Sequence, residues 1–231
     1  MGTGYRVRLA ELQQSREIYV AKRVTDGFRG EVDILQLLGS KEFASHRNHT
    51  ATASYILWGR RIHLTPLYHQ FINVDITPND VLRIAKQLIE GVAFMHEHRI
   101  AHMDISSRNF LIASNVEHPE LRLLLMDMEF ALRFPKGVEP IVDIWNEAHN
   151  PPEGKYEVNA FAYDIYWAGV ALKAILNGYN IRVMCKGVQW PIMFLNLIER
   201  MIDPSPKRRP TAAEADAVMQ SIDEQQSLPH S

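Results

Sequence analysis

The pattern of apolar and polar positions changes character about a third of the way along the chain. Ile18-Tyr19-Val20-Ala21 is a β-type run that leads into the charged pair Lys22-Arg23. Ser54 to Trp58 and Arg61 to Leu67 read as two strands, and Gly59-Arg60 between them suits a hairpin-like turn. Within this strand-rich part, Val32, Leu35 and Leu38 recur at helical spacing with Ile34 beside them, which predicts a helix over Arg29–Leu38. From Pro78 the helical period takes over. Val81, Ile84, Ala85, Leu88, Val92 and Met95 fall on one face, with Asn79 or Asp80 placed to cap the helix.

Further on, Phe110-Leu111-Ile112 and Leu123 to Met126 predict short buried strands around a polar turn at Ser114 to Glu120. Asn159 to Leu176 predicts a long apolar helix and Trp190 to Ile202 another. Thr211-Ala-Ala-Glu214 is a capping box that opens a last helix, after a loop punctuated by Pro204, Pro206 and Pro210. There is no internal repeat or low-complexity tract, and Asp223 to Ser231 reads as a polar tail. A small strand-rich part followed by a larger helical part predicts an α+β fold with two lobes.

Composition narrows the class. At 231 residues there is room for one generous domain or two lobes sharing a cleft. Hydrophobic residues at 46% and charged residues at 23% exclude disordered and fibrous classes. Lys and Arg number 25 against 27 Asp and Glu, a net charge of −2, so no nucleic-acid partner is expected. The single Cys185 rules out an internal disulfide and fits a reducing compartment. Met1 to Val7 lacks the apolar centre of a signal peptide, and Arg6 stands where a myristoylation signal needs Ser or Thr. Ile165 to Leu176 carries Gly169 and Lys173 and is too short to span a bilayer. Asn48-His49-Thr50 matches a glycosylation acceptor and is read as coincidence. The expectation is a soluble cytoplasmic monomer without a membrane partner.

The chemistry concentrates in His102-Met103-Asp104-Ile105-Ser106-Ser107-Arg108-Asn109, between the long helix and a short strand. An Asp and an Asn five apart on a rigid loop can do two jobs on one side of a cleft. The Asp can accept a hydroxyl proton and the Asn can ligate a cation. After the next strand pair, Met126-Asp127-Met128-Glu129 sets a second acid at the end of a buried strand, a natural Mg2+ ligand beside phosphate oxygens. His96, His98 and His102 stand close together in the sequence and could suggest a zinc cluster.

Together these residues resemble the eukaryotic protein kinase family. His102…Asp104…Asn109 is similar to its His-Arg-Asp catalytic loop, and Asp127 to the Asp of its Asp-Phe-Gly motif. Pro151-Pro152-Glu153 resembles the Ala-Pro-Glu that closes the activation segment. Asp164-Ile-Tyr-Trp167-Ala-Gly169 resembles the helix that anchors the catalytic loop, with the Trp displaced by one. Asp203-Pro204 through Arg209-Pro210-Thr211 resembles the family's ending, whose Arg pairs with the Glu at position 153. In the small lobe, Lys22 matches the strand Lys that holds ATP phosphates and Glu31 its helix partner. Phe94 to His102 is similar to a kinase-like group abundant in mushroom-forming fungi. The resemblance covers about residues 5 to 220, and six motifs stand in the family's order.

It implies one domain over 1–231, with a trimmed β-rich small lobe at about 5–67, a helical large lobe at 72–220 and a tail at 222–231. It implies ATP and Mg2+ as cofactors. Lys22, steadied by Glu31, would hold the α- and β-phosphates, while Asp127 and Asn109 bind Mg2+ and Asp104 deprotonates the acceptor. Val20 and Leu111 would sandwich adenine, with Pro66, Leu67 and Tyr68 bonding its edge. His102, Glu153, Asp164 and Arg209 take structural roles. The implied reaction is ATP γ-phosphate transfer to a protein Ser/Thr hydroxyl, with the protein substrate unnamed by the sequence.

Four departures qualify that reading. Gly2-Thr-Gly4-Tyr-Arg-Val7 keeps only two glycines of the phosphate-covering loop, so the first strand is expected to be short or missing. Asp127-Met-Glu129 replaces Asp-Phe-Gly and adds charge near the Mg2+ site. Ser106 replaces the catalytic-loop Lys, with Arg108 as the substitute. Met103 replaces the Arg that receives an activation-loop phosphate, and the segment Asp127 to Glu153 contains no Ser, Thr or Tyr to carry one. The close spacing of Lys22 and Glu31 predicts a clipped small-lobe helix. A pseudokinase scaffold is therefore the alternative. A small-molecule phosphotransferase leaves Pro152-Glu153 and Arg209 unexplained.

Overall fold

The computed structural model describes residues 7–11, 16–23, 29–57, 62–73, 76–115, 118–144, 150–178 and 187–227. Gly2 to Arg6, the Gly59-Arg60 turn and Cys185 lie outside the described residues. The small lobe is a four-stranded antiparallel sheet made of β1 (Val7–Glu11), β2 (Ile18–Arg23), β3 (Tyr55–Leu57) and β4 (Ile62–Pro66), in the order β1-β2-β4-β3. The first strand is thus present, five residues long, and Val7 lies opposite Lys22. On its other side β2 pairs with β4, Lys22 opposite His63. A lysine on an inner strand, bonded along both edges, has a fixed backbone from which to point.

Helix α1 (Arg29–Leu38) matches the predicted bounds and is ten residues long. Val32, Ile34, Leu35 and Leu38 are buried on its inner face. Its end is closed by Asn48, whose side-chain amide donates to the Leu38 carbonyl at 2.8 Å and the Phe43 carbonyl at 3.1 Å. That nitrogen is committed to capping, which supports reading the glycosylation match as coincidence.

The chain then runs beside the strand pair β7 (Phe110–Asn115) and β8 (His118–Leu125), which are longer than their apolar runs predict. Leu125 N–H donates to the His49 carbonyl at 2.8 Å, and Ala51 N–H donates to the Leu125 carbonyl at 2.7 Å. The short β5 (His69–Gln70) pairs with β7 on its far side. Helix α2 (Pro78–Glu97) packs behind β8, where Gln87 accepts from Leu123 N–H at 2.6 Å and donates to the Leu121 carbonyl at 3.0 Å. The N-cap of α2 is Thr77, not Asn79 or Asp80. Pro78, with no N–H and φ already helical, starts the helix, so the extended residue before it caps. Asp80 completes a capping box by accepting from Thr77 N–H at 3.0 Å.

Among the described residues, three further helices finish the large lobe: α3 (Ala160–Leu176), α4 (Ile192–Met201) and α5 (Ala212–Ser227). Asn159 caps α3 by accepting from Phe161 and Ala162 N–H, and the Thr211/Glu214 box opens α5 as predicted. The polar run from Asp223 is helical through Ser227 rather than a tail from its start, with Lys86 of α2 bonded to Asp223 at 2.5 Å. Between these elements run short pairs, β6 (Ile100–Ala101) with β9 (Leu132–Arg133), and β10 (Ile141–Val142) with β11 (Val158–Asn159). One continuous core reaches from Ile34, Leu35 and Leu38 of α1, through Leu88 and Phe94 of α2, to Leu172, Phe194 and Met219. Among the described residues, no helix is long and apolar enough to cross a membrane.

Two close contacts generate predictions. A Cβ on Gly169 of α3 would lie 2.8 Å from both Ile202 Cγ2 and Met201 Cβ. Those atoms sit near the backbone and cannot swing away, so Gly169→Ala should lower stability by about 1–3 kcal/mol in urea denaturation. His49 is buried against Gly91 and bonded to Glu90 at 2.9 Å, and burial holds its pKa below the ordinary 6.5 despite Glu90. The unfolded chain therefore takes the proton more readily. His49 contributes stability above pH 6.5 that is lost as pH falls through 6.5 towards its folded value. His49→Gln should flatten the stability slope between about pH 7 and pH 5, measured by chemical denaturation.

Candidate active site

The site is assembled around the Lys22 ammonium. Its Nζ lies 2.7 Å from Glu31 Oε1, 2.5 Å from Asp127 Oδ1 and 3.5 Å from Glu129 Oε2. Glu31 stands in the first turn of α1, where the helix dipole favours an acid, and is only 2% exposed. Early placement in a clipped helix does not keep it from Lys22. Burial pulls the lysine's pKa down, but Asp127 and Glu31 outweigh it and hold it above its ordinary value, so Lys22 is charged at neutral pH.

Asp127 stands two residues after β8 with φ +66° and opens a 3₁₀ turn over Met128–Phe130. Left-handed backbone at a non-glycine residue is uncommon, and Asp and Asn tolerate it best. Fully buried Met128 anchors the turn in the core, which answers for the missing phenylalanine. Met126 N–H donates to the Asn109 carbonyl at 3.0 Å, tying the Asp127 strand to the loop that carries Asp104. Asn109 donates from Nδ2 to both the backbone carbonyl and Oδ2 of Asp104, at 2.8 and 2.7 Å. With its nitrogen spent there, the amide oxygen is the atom it has for a hard cation. The donors are carboxylate and amide oxygens, the type Mg2+ takes, so the residues fit that ion. Among the described residues, no group of three or more His, Cys, Asp or Glu is arranged to hold a metal by itself.

Asp164 suspends the loop. Fully buried in α3, its carboxylate accepts from His102 N–H at 2.7 Å and Met103 N–H at 2.8 Å, and Oδ2 also meets His96 Nε2 at 3.0 Å. His102 receives the Asp104 N–H on Nδ1 at 3.3 Å, so Nε2 carries the proton given to the Met126 carbonyl at 3.1 Å. His98 bonds the Phe94 carbonyl at 2.8 Å and lies tilted against the rings of Phe43 and Phe94. The three histidines thus serve three different partners. Met103 has φ +64° and is buried with Ile144, Val158 and Tyr163, close to Phe134 and Val142.

Glu153 meets Arg209 in a two-pronged pair, at 2.7 and 2.5 Å. Arg209 also donates to the carbonyls of Asp203, Ala162 and Pro204 and lies 4.7 Å from the Tyr166 ring centroid. Tyr166, one residue before the displaced Trp167, is the aromatic that covers the arginine. Sequence reasoning passed over it, although its place in the Asp-x-Trp-x-x-Gly spacing was the available signal. It also missed His96 as a partner of Asp164.

The residues assigned to adenine are spread over both lobes. Val20 is half-buried on β2 opposite Thr65, and Leu111 is buried on β7 with Ala51 and Leu124. Pro66 ends β4, Leu67 is 52% exposed, and Tyr68 packs against the Leu111 cluster. Burial raises the Tyr68 hydroxyl pKa. Arg108 is exposed on the 3₁₀ turn Ser107–Asn109.

A small antiparallel sheet with one helix, set on a helical lobe, defines the class of protein. The structure aligns with the crystal structure of the Rad53 kinase domain and SCD2 at a TM-score of 0.67, over 93% of this chain and 83% of that one, with 15% identity. The fold is the two-lobed α+β kinase fold. A family model described as the protein kinase domain matches residues 10–220, and the chain belongs to that family. Among curated relatives, calcium-dependent protein kinase 13 of Arabidopsis thaliana is 27% identical over 150 residues, 57% of this chain and 28% of that protein. The Wee1-like protein kinase of Oryza sativa subsp. japonica is 26% identical over 159 residues, 62% of this chain and 28% of that protein. Serine/threonine-protein kinase 17A of Oryctolagus cuniculus is 29% identical over 104 residues, 44% and 25% of the two chains. The chain spans about a quarter of the length of these relatives.

Asp164 generates the prediction here. Asparagine offers one acceptor oxygen where two buried N–H groups need two. Asp164→Asn should cost about 1–3 kcal/mol in chemical denaturation.

Proposed function

We propose that this chain transfers the γ-phosphate of ATP to a protein Ser/Thr hydroxyl with Mg2+. The observation that carries this reading is the single ammonium of Lys22 joining the small-lobe Glu31 to Asp127, which the Met126–Asn109 bond ties to the Asp104 loop. In this reading Lys22, held by Glu31, contacts the α- and β-phosphates. Asp127 and Asn109 hold Mg2+, which when bound spreads the charge of the phosphates. Asp104 sits where it takes the proton of the acceptor hydroxyl as that oxygen bonds the γ-phosphorus and the bond to ADP breaks. Asn109 fixes the Asp104 carboxylate at 2.7 Å, so the base is oriented before substrate arrives. Arg108, on the same turn, is the cation proposed for the transferred phosphate. Val20 and Leu111 bracket adenine, and the backbone of Pro66, Leu67 and Tyr68 meets its edge. His102 and Asp164 support the loop, and Glu153 and Arg209 brace the far end of the segment, rather than touch substrate. A cytoplasmic monomer belongs to the same proposal and rests on composition and the lone Cys185.

One observation favours a second reading, a pseudokinase that binds or scaffolds without turnover. Glu129 lies 3.5 Å from Lys22, in place of the family's glycine. Thermal denaturation with and without Mg2+ and ATP separates the two. Nucleotide at a hundred times its Kd stabilises by about 2.7 kcal/mol. Asp104→Ala should keep that shift while lowering phosphotransfer about 10²–10⁴-fold. No shift at millimolar nucleotide overturns the catalytic reading, and undiminished turnover in Asp104→Ala overturns the assignment of the base.

A further inference from the structure

An ammonium has three N–H bonds; at Lys22 it donates to Glu31 and Asp127, and Glu129 pairs with the same charge at 3.5 Å. Glu31 is locked in place, buried to 1% of its side chain. Asp127 is the most open of the three, with 32% of its side chain exposed. Glu129 lies between these extremes at 14%, and is held by the turn that buried Met128 anchors and the Ala131–Met128 bond closes at 3.1 Å. The cluster at Lys22 thus sets one positive charge against three negative ones before any phosphate enters. A phosphate oxygen reaching Lys22 must take one of the three places. Glu31 is enclosed, and Asp127 turns from Lys22 only where a metal is present to take it. Metal-free phosphate therefore meets Glu129 as the group that must yield.

We infer that Glu129 is a specificity-determining residue that makes nucleotide capture depend on a divalent cation, by occupying Lys22 against metal-free phosphate. The inference rests on the nucleotide-binding reading above and deepens it. Metal-free ATP brings more negative charge than its Mg2+ complex to an ammonium already faced by carboxylates, so it suffers the greater repulsion. Glycine at this position would leave Lys22 to Glu31 and Asp127 alone. The site would then admit metal-free nucleotide more readily. The consequence is a site that rejects nucleotide arriving without its cation, the form in which transfer cannot proceed by the proposed route.

The test is isothermal titration of the full chain with ATP, once in EDTA and once in excess Mg2+. It compares the native protein with Glu129→Gln, which keeps the size and removes the charge. Glu129→Gly serves as a second variant should glutamine fail to fold, as judged by its thermal transition. The expected result is metal-free binding about tenfold tighter in the variant, with Mg2+-dependent binding changed less than about threefold. Binding of Mg2+–ATP by the variants alone overturns the inference, since Glu129 would then close the site to nucleotide with or without its cation. Equal factors with and without Mg2+, or no change in either, overturn it and leave nucleotide binding standing. Absence of binding by the native protein and both variants, with or without Mg2+, overturns the nucleotide reading and this inference together.

Discussion

The ammonium of Lys22 is where three separately built parts of the chain have to agree. Its strand is bonded on both edges, by β1 and by β4. Glu31 comes from the first turn of α1, and Asp127 from two residues after β8. Gathering charges under cover is costly, and the attraction between them offsets that cost only in good geometry. A slip of any one element leaves an uncompensated buried charge, so this contact fixes the distance between the small sheet, its helix and the large lobe. The core supports the same registration, because Ile34, Leu35 and Leu38 of α1 belong to one apolar cluster with α2, β8 and Met128. The charge cluster at Lys22 is therefore held by packing that continues beneath it.

The loop bearing Asp104 is positioned by a different device. Asp164 reaches out of α3 to accept two consecutive backbone N–H groups, and His96 of α2 closes on the same carboxylate. Two helices thereby hold one loop by a buried acid. The arrangement lets Met103 adopt φ +64°, a conformation that a methionine does not seek for itself. Arg209 repeats the logic at the other end of the segment. It joins Glu153 to the carbonyls of Ala162, Asp203 and Pro204 under the ring of Tyr166.

Much of this was legible in the residues, and the reasons differ from place to place. Helix α1 was readable because Val32, Ile34, Leu35 and Leu38 recur at helical spacing, and the capping box of α5 because both partners sit three residues apart. The cap of α2 was misplaced because several polar residues compete there, and the decision rests with Pro78, whose fixed φ makes it the first helical residue. Motif order showed which acids and bases converge, since the spacing of Asp104, Asn109 and Asp127 carries the chemistry. It did not show which atoms touch. His96 and Tyr166 serve residues 68 and 43 positions away, and nothing local in the chain marks those partners. The excess charge of Glu129 was plain in the sequence, whereas its approach to Lys22 depends on the turn that Met128 anchors.

The activation segment closes the argument, because its departures are consistent with one another. An arginine at position 103 would call for an anionic partner on the segment, and the stretch from Asp127 to Glu153 has no Ser, Thr or Tyr to receive a phosphate. In place of that pair the structure has an apolar clasp. Met103 packs with Ile144, Val158 and Tyr163, and Phe134 and Val142 lie against the same cluster. Backbone pairing holds both sides of the clasp, Ala101 with Leu132 and Val142 with Val158. Hydrophobic burial is not switched by a modifying group as a charge pair is, so the loop and the segment are held together by folding itself.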